Sequence, residues 1–173
     1  AVSLNRRPTT AANTAATIAQ KAGGQVILLP SPAILERLET KRAIESDRTV
    51  AGVIELAAGA SAYLFSGGVA DGTSALVESG YLSGTDVTEL RRKGAIGDVV
   101  GRFIDANGNI VDPGLDERTM GLSLEQLRAA ANAIFVVSGE AKHPVARAVV
   151  TSGLCTVIVT DEATALALLE ENA

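Results

Sequence analysis

Short apolar runs alternate with helix-like stretches along most of the chain, and this alternation constrains the fold more than any other feature. Gln25 to Leu29 (closed by Pro30), Ser61 to Phe65, Ala133 to Val137 and Thr156 to Val159 are short and bounded by turn residues, as strands are. The helix signals between them differ in kind. Thr10 to Lys21 is Ala-rich and stops at Gly23-Gly24, while Ile34 to Ala43 and Thr49 to Ala58 carry apolar residues three and four apart and break near Ser46 and Asp47. Thr73 to Glu78 predicts one or two turns ending at Gly80. Thr85 to Lys93 has Glu89 four residues after Thr85 and ends in Arg91, Arg92 and Lys93 before Gly94, as a helix dipole prefers. Ser123 to Ala130, with Ser123 as N-cap, Glu140 to Thr151 and Asp161 to Glu170 complete the helices. One interruption stands out: Asp98 to Asp105, Ala106-Asn107-Gly108-Asn109 and Ile110-Val111 read as a β-hairpin, because Asn-Gly supplies the positive φ values of a tight turn. The pattern predicts an α/β fold, a mostly parallel Rossmann-like sheet with helices on both faces and an inserted hairpin.

Composition narrows the function classes. With 173 residues and 47% hydrophobic content, the chain suffices for one globular domain. Its longest apolar runs fall far short of the roughly 20 residues of a membrane span, and no signal-like leader is seen, so no membrane partner and a cytoplasmic location are expected. A single cysteine, Cys155, fits a reducing compartment and gives neither a disulfide nor a zinc cluster; no metal or cofactor is expected. The net charge of −5 and 3% aromatic content exclude a broad nucleic-acid surface, which needs excess cations or stacking platforms. Any anion must be met by a local pocket.

In open parallel sheets that pocket lies beyond the carboxyl ends of the strands. Three loops qualify: Ser66 to Asp71, Ser138 to Lys142 and Thr160 to Glu162, with Asn5-Arg6-Arg7 as a fourth. Lys142 is the most informative of these residues. A lysine where a helix begins opposes the dipole by a few tenths to about 1 kcal/mol, a cost that a bound phosphate reverses. Its ordinary reading is a solvated side chain, and a desolvated lysine could instead form a Schiff base with a sugar carbonyl. His143 sits beside it, but consecutive helix positions do not face each other, and no Ser or Cys nucleophile pairs with it, so no catalytic residue is assigned. Asp98 reads either as an acceptor for sugar hydroxyls or as a turn residue, with the turn favoured on sequence alone. Arg118 reads as a surface ion-pair partner and Asp161 as the cap of the last helix.

Ordered blocks of residues then carry a resemblance. They are Ser79-Gly80-Tyr81-Leu82; Gly94-Ala95-Ile96-Gly97-Asp98-Val99-Val100-Gly101-Arg102-Phe103 with Asp105 and Gly108; Gly121-Leu122-Ser123-Leu124; Gly139 with Lys142; and Val159-Thr160-Asp161-Glu162-Ala163-Thr164-Ala165. Over about residues 60 to 173, with weaker matches at Ala12-Asn13-Thr14 and Leu29-Pro30-Ser31-Pro32, the chain resembles the effector-binding domains of SorC-type bacterial transcriptional regulators. These are related in fold to ribose phosphate isomerases, glucosamine phosphate deaminases and CoA-transferases.

The resemblance implies that residues 1–173 form an effector-binding domain for a phosphorylated sugar or polyol. It implies a homodimer or homotetramer whose DNA affinity resides in an upstream helix-turn-helix domain outside this chain. It also implies a first strand and a Gly- and Thr-rich loop before residue 1. By motif, Lys142 looks like the lysine that contacts the effector phosphate or sugar, Asp98 like the acid that meets sugar hydroxyls, and Asn5 like the start of a loop closing the pocket. Gly67 and Gly68 look like the strand-end glycines of the crevice, and Gly139 like the small residue before the lysine. The competing readings are a phosphosugar isomerase or deaminase on the same fold, and a stand-alone sugar-phosphate-binding domain.

Overall fold

The computed structural model describes residues 10–170. Helix α1 (Thr10–Ala22) ends where Gly23 turns to φ +66° and the Gly24 N–H closes on the Ala19 carbonyl, so the glycine pair acts as the expected stop. Helices α2 (Leu38–Glu45) and α3 (Arg48–Ala58) follow. Asp47 separates them and caps α3 by accepting from the Thr49 and Val50 N–H groups. The α2 helix starts four residues later than the periodicity predicts, because Ile34 is taken up in a bridge to Thr119.

Strand β1 (Tyr63–Phe65) pairs in parallel with β5 (Ala133–Val136), and β5 pairs in parallel with β6 (Val157–Val159), giving the order β1-β5-β6. A second sheet is antiparallel: β2 (Gly67–Val69), β3 (Gly97–Val99) and β4 (Arg102–Ile104). Between the strands lie α4 (Ala75–Glu78), α5 (Gly84–Arg92), α6 (Pro113–Arg118) and α7 (Leu124–Ala129), and after β5 come a 3-10 turn (Glu140–Lys142), α8 (His143–Thr151) and α9 (Glu162–Glu170). The cap of α5 is Ser83 with Asp86 in a capping box, so the cap lies two residues before Thr85, and Ser123 caps α7 as expected, with Gln126 completing its box.

One expectation is corrected: Gln25 to Leu29 forms no strand, since no described strand pairs with it and Val26, Ile27 and Leu28 stay 42–56% exposed. The hairpin also has a turn that the sequence did not single out. It is the two-residue Val100-Gly101, with φ of +49° and +85°, which joins β3 to β4. Asn107-Gly108 turns the chain as expected, with Ile104 and Ile110 in an antiparallel bridge across it, and the Asp105 carboxylate holds the turn by accepting from the Asn107 and Asn109 N–H groups at 2.8 and 2.9 Å. There Gly108 docks so closely on Ser152 that a Cβ would lie 2.4 Å from its side chain.

The main core lies where α8 covers the parallel sheet. Val145, Ala146, Ala148 and Val149 of α8 are buried with Phe65 and Phe135, whose rings stand 5.3 Å apart. Arg102 is buried as well, and its guanidinium donates to the carbonyls of Asp116, Thr119, Gly121 and Leu122 and pairs with the Asp116 carboxylate, stitching β4 to the segment before α7. These fixed contacts hold the carboxyl ends of β1, β5 and β6 side by side.

Candidate functional site

Because β1, β5 and β6 are parallel, the loops after Phe65, Val136 and Val159 emerge on one side of the sheet. They line a crevice of about 330 Å³ bounded by Ser66, Val136, Val137, Ser138, Lys142, Val159 and Thr160. Three loops that the sequence singled out therefore converge, each contributing a polar side chain.

Lys142 is half-buried, the last residue of the 3-10 turn and the residue that immediately precedes α8. Gly139 makes this placement possible. Its φ of +95° is open to glycine and strained for other residues, and it turns the chain from β5 into the 3-10 turn. The Gly139 N–H donates to Asp161, whose carboxylate also caps α9 through the Thr164 N–H (2.7 Å) and hydroxyl (3.1 Å). Asp161 thus caps the last helix as expected and also ties the lysine loop to the β6 loop. The bonds from Thr164, led by its backbone N–H, hold the Asp161 carboxyl below the usual carboxylate range.

The Thr160 hydroxyl is buried in the crevice wall with no hydrogen-bond partner among the described residues. Leaving such a group unmatched costs roughly 1–3 kcal/mol. The sequence pointed to its loop but not to this hydroxyl, because an unmatched side chain is a tertiary property.

Asp98 lies behind the crevice on β3, opposite Gly68 of β2, and accepts the Gly101 N–H at 3.0 Å. It does not line the crevice. Burial pushes its carboxyl up to about 6, against the opposing pull of the Gly101 N–H and of the Lys142 charge, so the two residues are within electrostatic reach. Gly67 and Gly68 are not loop residues but form β2, and both are needed for close packing: a Cβ on Gly68 would lie 2.0 Å from Asp98 Oδ1, and one on Gly67 would lie 3.0 Å from Val145. Asn5 lies outside the described residues.

His143 turns away from this set. Its Nε2 meets the Thr164 hydroxyl at 3.3 Å, and it lines a different depression with Arg147 and Ala167, so it makes no pair with Asp98. Arg118 donates to the Leu35 and Glu36 carbonyls, fastening α6 to the segment before α2, and its charge adds to the Ser83 hydrogen bonds that lower the pKa of Asp86. Among the described residues no cluster of His, Cys, Asp and Glu could hold a metal ion, and no helix is long and apolar enough to cross a membrane.

The chain has counterparts among known proteins. Residues 2–170 match the family described as "Putative sugar-binding domain". The chain belongs to that family, the sugar-binding domains of SorC- and DeoR-type transcriptional regulators. It is 32% identical over 143 residues to the deoxyribonucleoside regulator of Bacillus subtilis, a match covering 83% of this chain and 45% of that protein. It is 30% identical over 152 residues to the erythritol catabolism regulatory protein EryD of Brucella abortus, covering 88% and 48%. A crystal structure of a domain of a "possible sugar-binding transcriptional regulator" from Arthrobacter aurescens superposes with a TM-score of 0.86 at 32% identity, covering 98% of this chain and 65% of that one. The sugar-binding domain therefore spans about half the length of the curated regulators it matches.

Proposed function

We propose that this domain senses a phosphorylated sugar or polyol for a regulator of sugar metabolism, and that its occupancy alters the oligomeric state and DNA affinity of a helix-turn-helix domain in the same protein. The observation that carries this reading is the crevice at the carboxyl ends of β1, β5 and β6, whose lining includes Ser66, Ser138, Lys142 and Thr160. An ammonium beside a helix start suits an anionic group, and the Thr160 hydroxyl can donate to a phosphate oxygen or a sugar hydroxyl. Asp98, behind the crevice and bonded to the Gly101 N–H, acts on the site through its electrostatic reach to Lys142 and not by lining it. Relatives named for a deoxyribonucleoside and for erythritol catabolism favour a small polyhydroxylated effector. The regulator reading is favoured over an isomerase or deaminase because His143 is engaged by Thr164 and does not join Asp98 as an acid-base pair.

Calorimetric titration with sugar phosphates and their neutral parent sugars tests this. The phosphorylated form is expected to bind at least tenfold more tightly, and Lys142→Ala to lose about 1.5–3 kcal/mol of that binding, the range of a charge-assisted hydrogen bond. Equal affinity of the variant and the wild type for the phosphorylated ligand would remove Lys142 from the site. Conversion of the sugar phosphate to an isomer or a deaminated product would overturn the regulator reading.

A further inference from the structure

The segment that carries Lys142 is pinned at both of its ends to one place, the start of α9. At one end the Gly139 N–H donates to Asp161 Oδ2 at 3.1 Å. At the other, His143, the first residue of α8, brings its Nε2 to 3.3 Å from the Thr164 hydroxyl. That hydroxyl in turn lies 3.1 Å from Asp161 Oδ2, so the two pins meet on a single carboxylate oxygen. Lys142 sits between them, its backbone N–H donating to the Gly139 carbonyl at 3.0 Å.

Proton counting fixes the direction of this chain of bonds. A threonine hydroxyl donates one hydrogen and accepts through its lone pairs, whereas an ionised carboxylate only accepts. Asp161 is ionised at neutral pH, its carboxyl held below the usual range chiefly by the Thr164 N–H at 2.7 Å, so the Thr164 hydroxyl proton goes to Asp161. The Thr164 oxygen is then an acceptor toward His143, and His143 must present a hydrogen on Nε2. With its proton on Nδ1 alone, the Nε2 lone pair would face the Thr164 oxygen, and Thr164 could satisfy it only by giving up Asp161. A hydroxyl that accepts one hydrogen bond donates a stronger one, so a donor at Nε2 reinforces the bond to Asp161. Thr164 is fully buried, which keeps solvent from standing in for a lost partner.

Helices α8 and α9 have other ties. Arg147, one turn further along α8, donates to the Ala167 and Leu168 carbonyls near the far end of α9, and the apolar face of α8 is buried in the main core. What His143 adds is therefore local to the lysine segment. We propose that His143, as an Nε2–H donor, is a positioning residue of the effector crevice: through Thr164 and Asp161 it holds Gly139, and so fixes where Lys142 is presented. His143 does not line the crevice itself, and its importance to sensing rests on the reading of Lys142 as the contact to the anionic group of the effector.

Nitrogen-15 NMR of the full-length protein, labelled in its histidine rings, tests the donor, with the His143 signals assigned by their loss in His143→Gln. Nε2 is expected to resonate as a protonated nitrogen, and an unprotonated Nε2 overturns the proposal. Because the signal is that of the unsubstituted protein, it decides the matter even where an alanine variant fails to fold. Amide hydrogen exchange tests the consequence. In His143→Ala the Gly139 and Lys142 amides are expected to exchange at least about tenfold faster than in the wild type, while Phe103 and Ile104 in β4 keep their rates. His143→Gln, whose side-chain amide offers an N–H close to the place of Nε2, is expected to restore most of the protection. Wild-type exchange at Gly139 in His143→Ala overturns the proposal, as does a glutamine variant no better protected than the alanine one. Equal acceleration of every amide overturns it too, because the loss is then one of the whole fold. No readout involves a sugar phosphate, so failure here and failure of the effector reading are separate outcomes.

Discussion

Asp98 illustrates how a single residue can be retained against stability. Its carboxyl is raised by burial to about 6 from an ordinary 3.8. Well below pH 4 the folded and unfolded chains both carry the proton, and the group contributes nothing to the pH dependence. From about pH 4 to 6 the unfolded chain releases the proton while the folded chain keeps it, so stability falls as pH rises; above that window the deficit is constant, roughly 1–3 kcal/mol. Asp98→Asn keeps an acceptor for the Gly101 N–H and removes the charge. Urea unfolding at pH 7.5 is therefore expected to show the variant more stable than wild type by about 1–3 kcal/mol, with the gap closing toward pH 4. A wild type as stable as the variant at pH 7.5 would show that the charge is not desolvated. Gly68→Ala works in the opposite direction: its methyl would lie 2.0 Å from Asp98 Oδ1, so the carboxylate must rotate away from Gly101. Urea unfolding is expected to record a loss of about 1–3 kcal/mol, the usual range for overpacking, at pH 4 as well as at pH 7.5.

At the scale of elements, Asp161 couples two loops that are distant in sequence. It accepts from Gly139 after β5 and from Thr164 in α9, and its lowered pKa means that this contribution is present above the usual carboxylate range and is lost as pH falls through the folded value. Asp161→Ala is expected to lower Tm and to speed amide exchange at Gly139, while Asp161→Asn, still an acceptor, retains most of the cap. Unchanged exchange at Gly139 in the alanine variant would mean that the lysine loop stands without this tie. The cap was legible in the sequence because capping is local; the bond to Gly139 was not, because it spans 22 residues. The same distinction explains the hairpin. Asn107-Gly108 is a local turn signal and does turn the chain between Ile104 and Ile110, but the ladder also turns at Val100-Gly101, where the packing of Val100 against the core overrides the dislike of a β-branched residue for positive φ. Gln25 to Leu29 has the composition of a strand but not the pairing, since a strand exists only with its neighbour. The converging loops, by contrast, were readable from chain order alone, because parallel strands must open their carboxyl ends on one side.

For the molecule as a whole, the consequence is that one ligand can couple parts of the fold that are otherwise joined through the core. The crevice is lined from the ends of β1, β5 and β6, so a molecule bridging Ser66, Lys142 and Thr160 adds contacts between elements that must separate on unfolding. A ligand that binds only the native state at 100 times its dissociation constant contributes about 2.7 kcal/mol, which for a domain of this size corresponds to a rise in Tm of about 5–10 °C. The net charge of −5 opposes an anionic ligand at long range, so the attraction has to be local to Lys142. Raising the salt from low to moderate ionic strength screens the long-range repulsion more than the half-buried contact. The thermal shift produced by a sugar phosphate is therefore expected to persist in moderate salt. Lys142→Ala is expected to match the unliganded wild-type Tm within a few degrees, as surface substitutions do, and to lose most of the shift. A shift that survives in Lys142→Ala, or one that collapses with modest salt in the wild type, would point to diffuse charge in place of a built pocket.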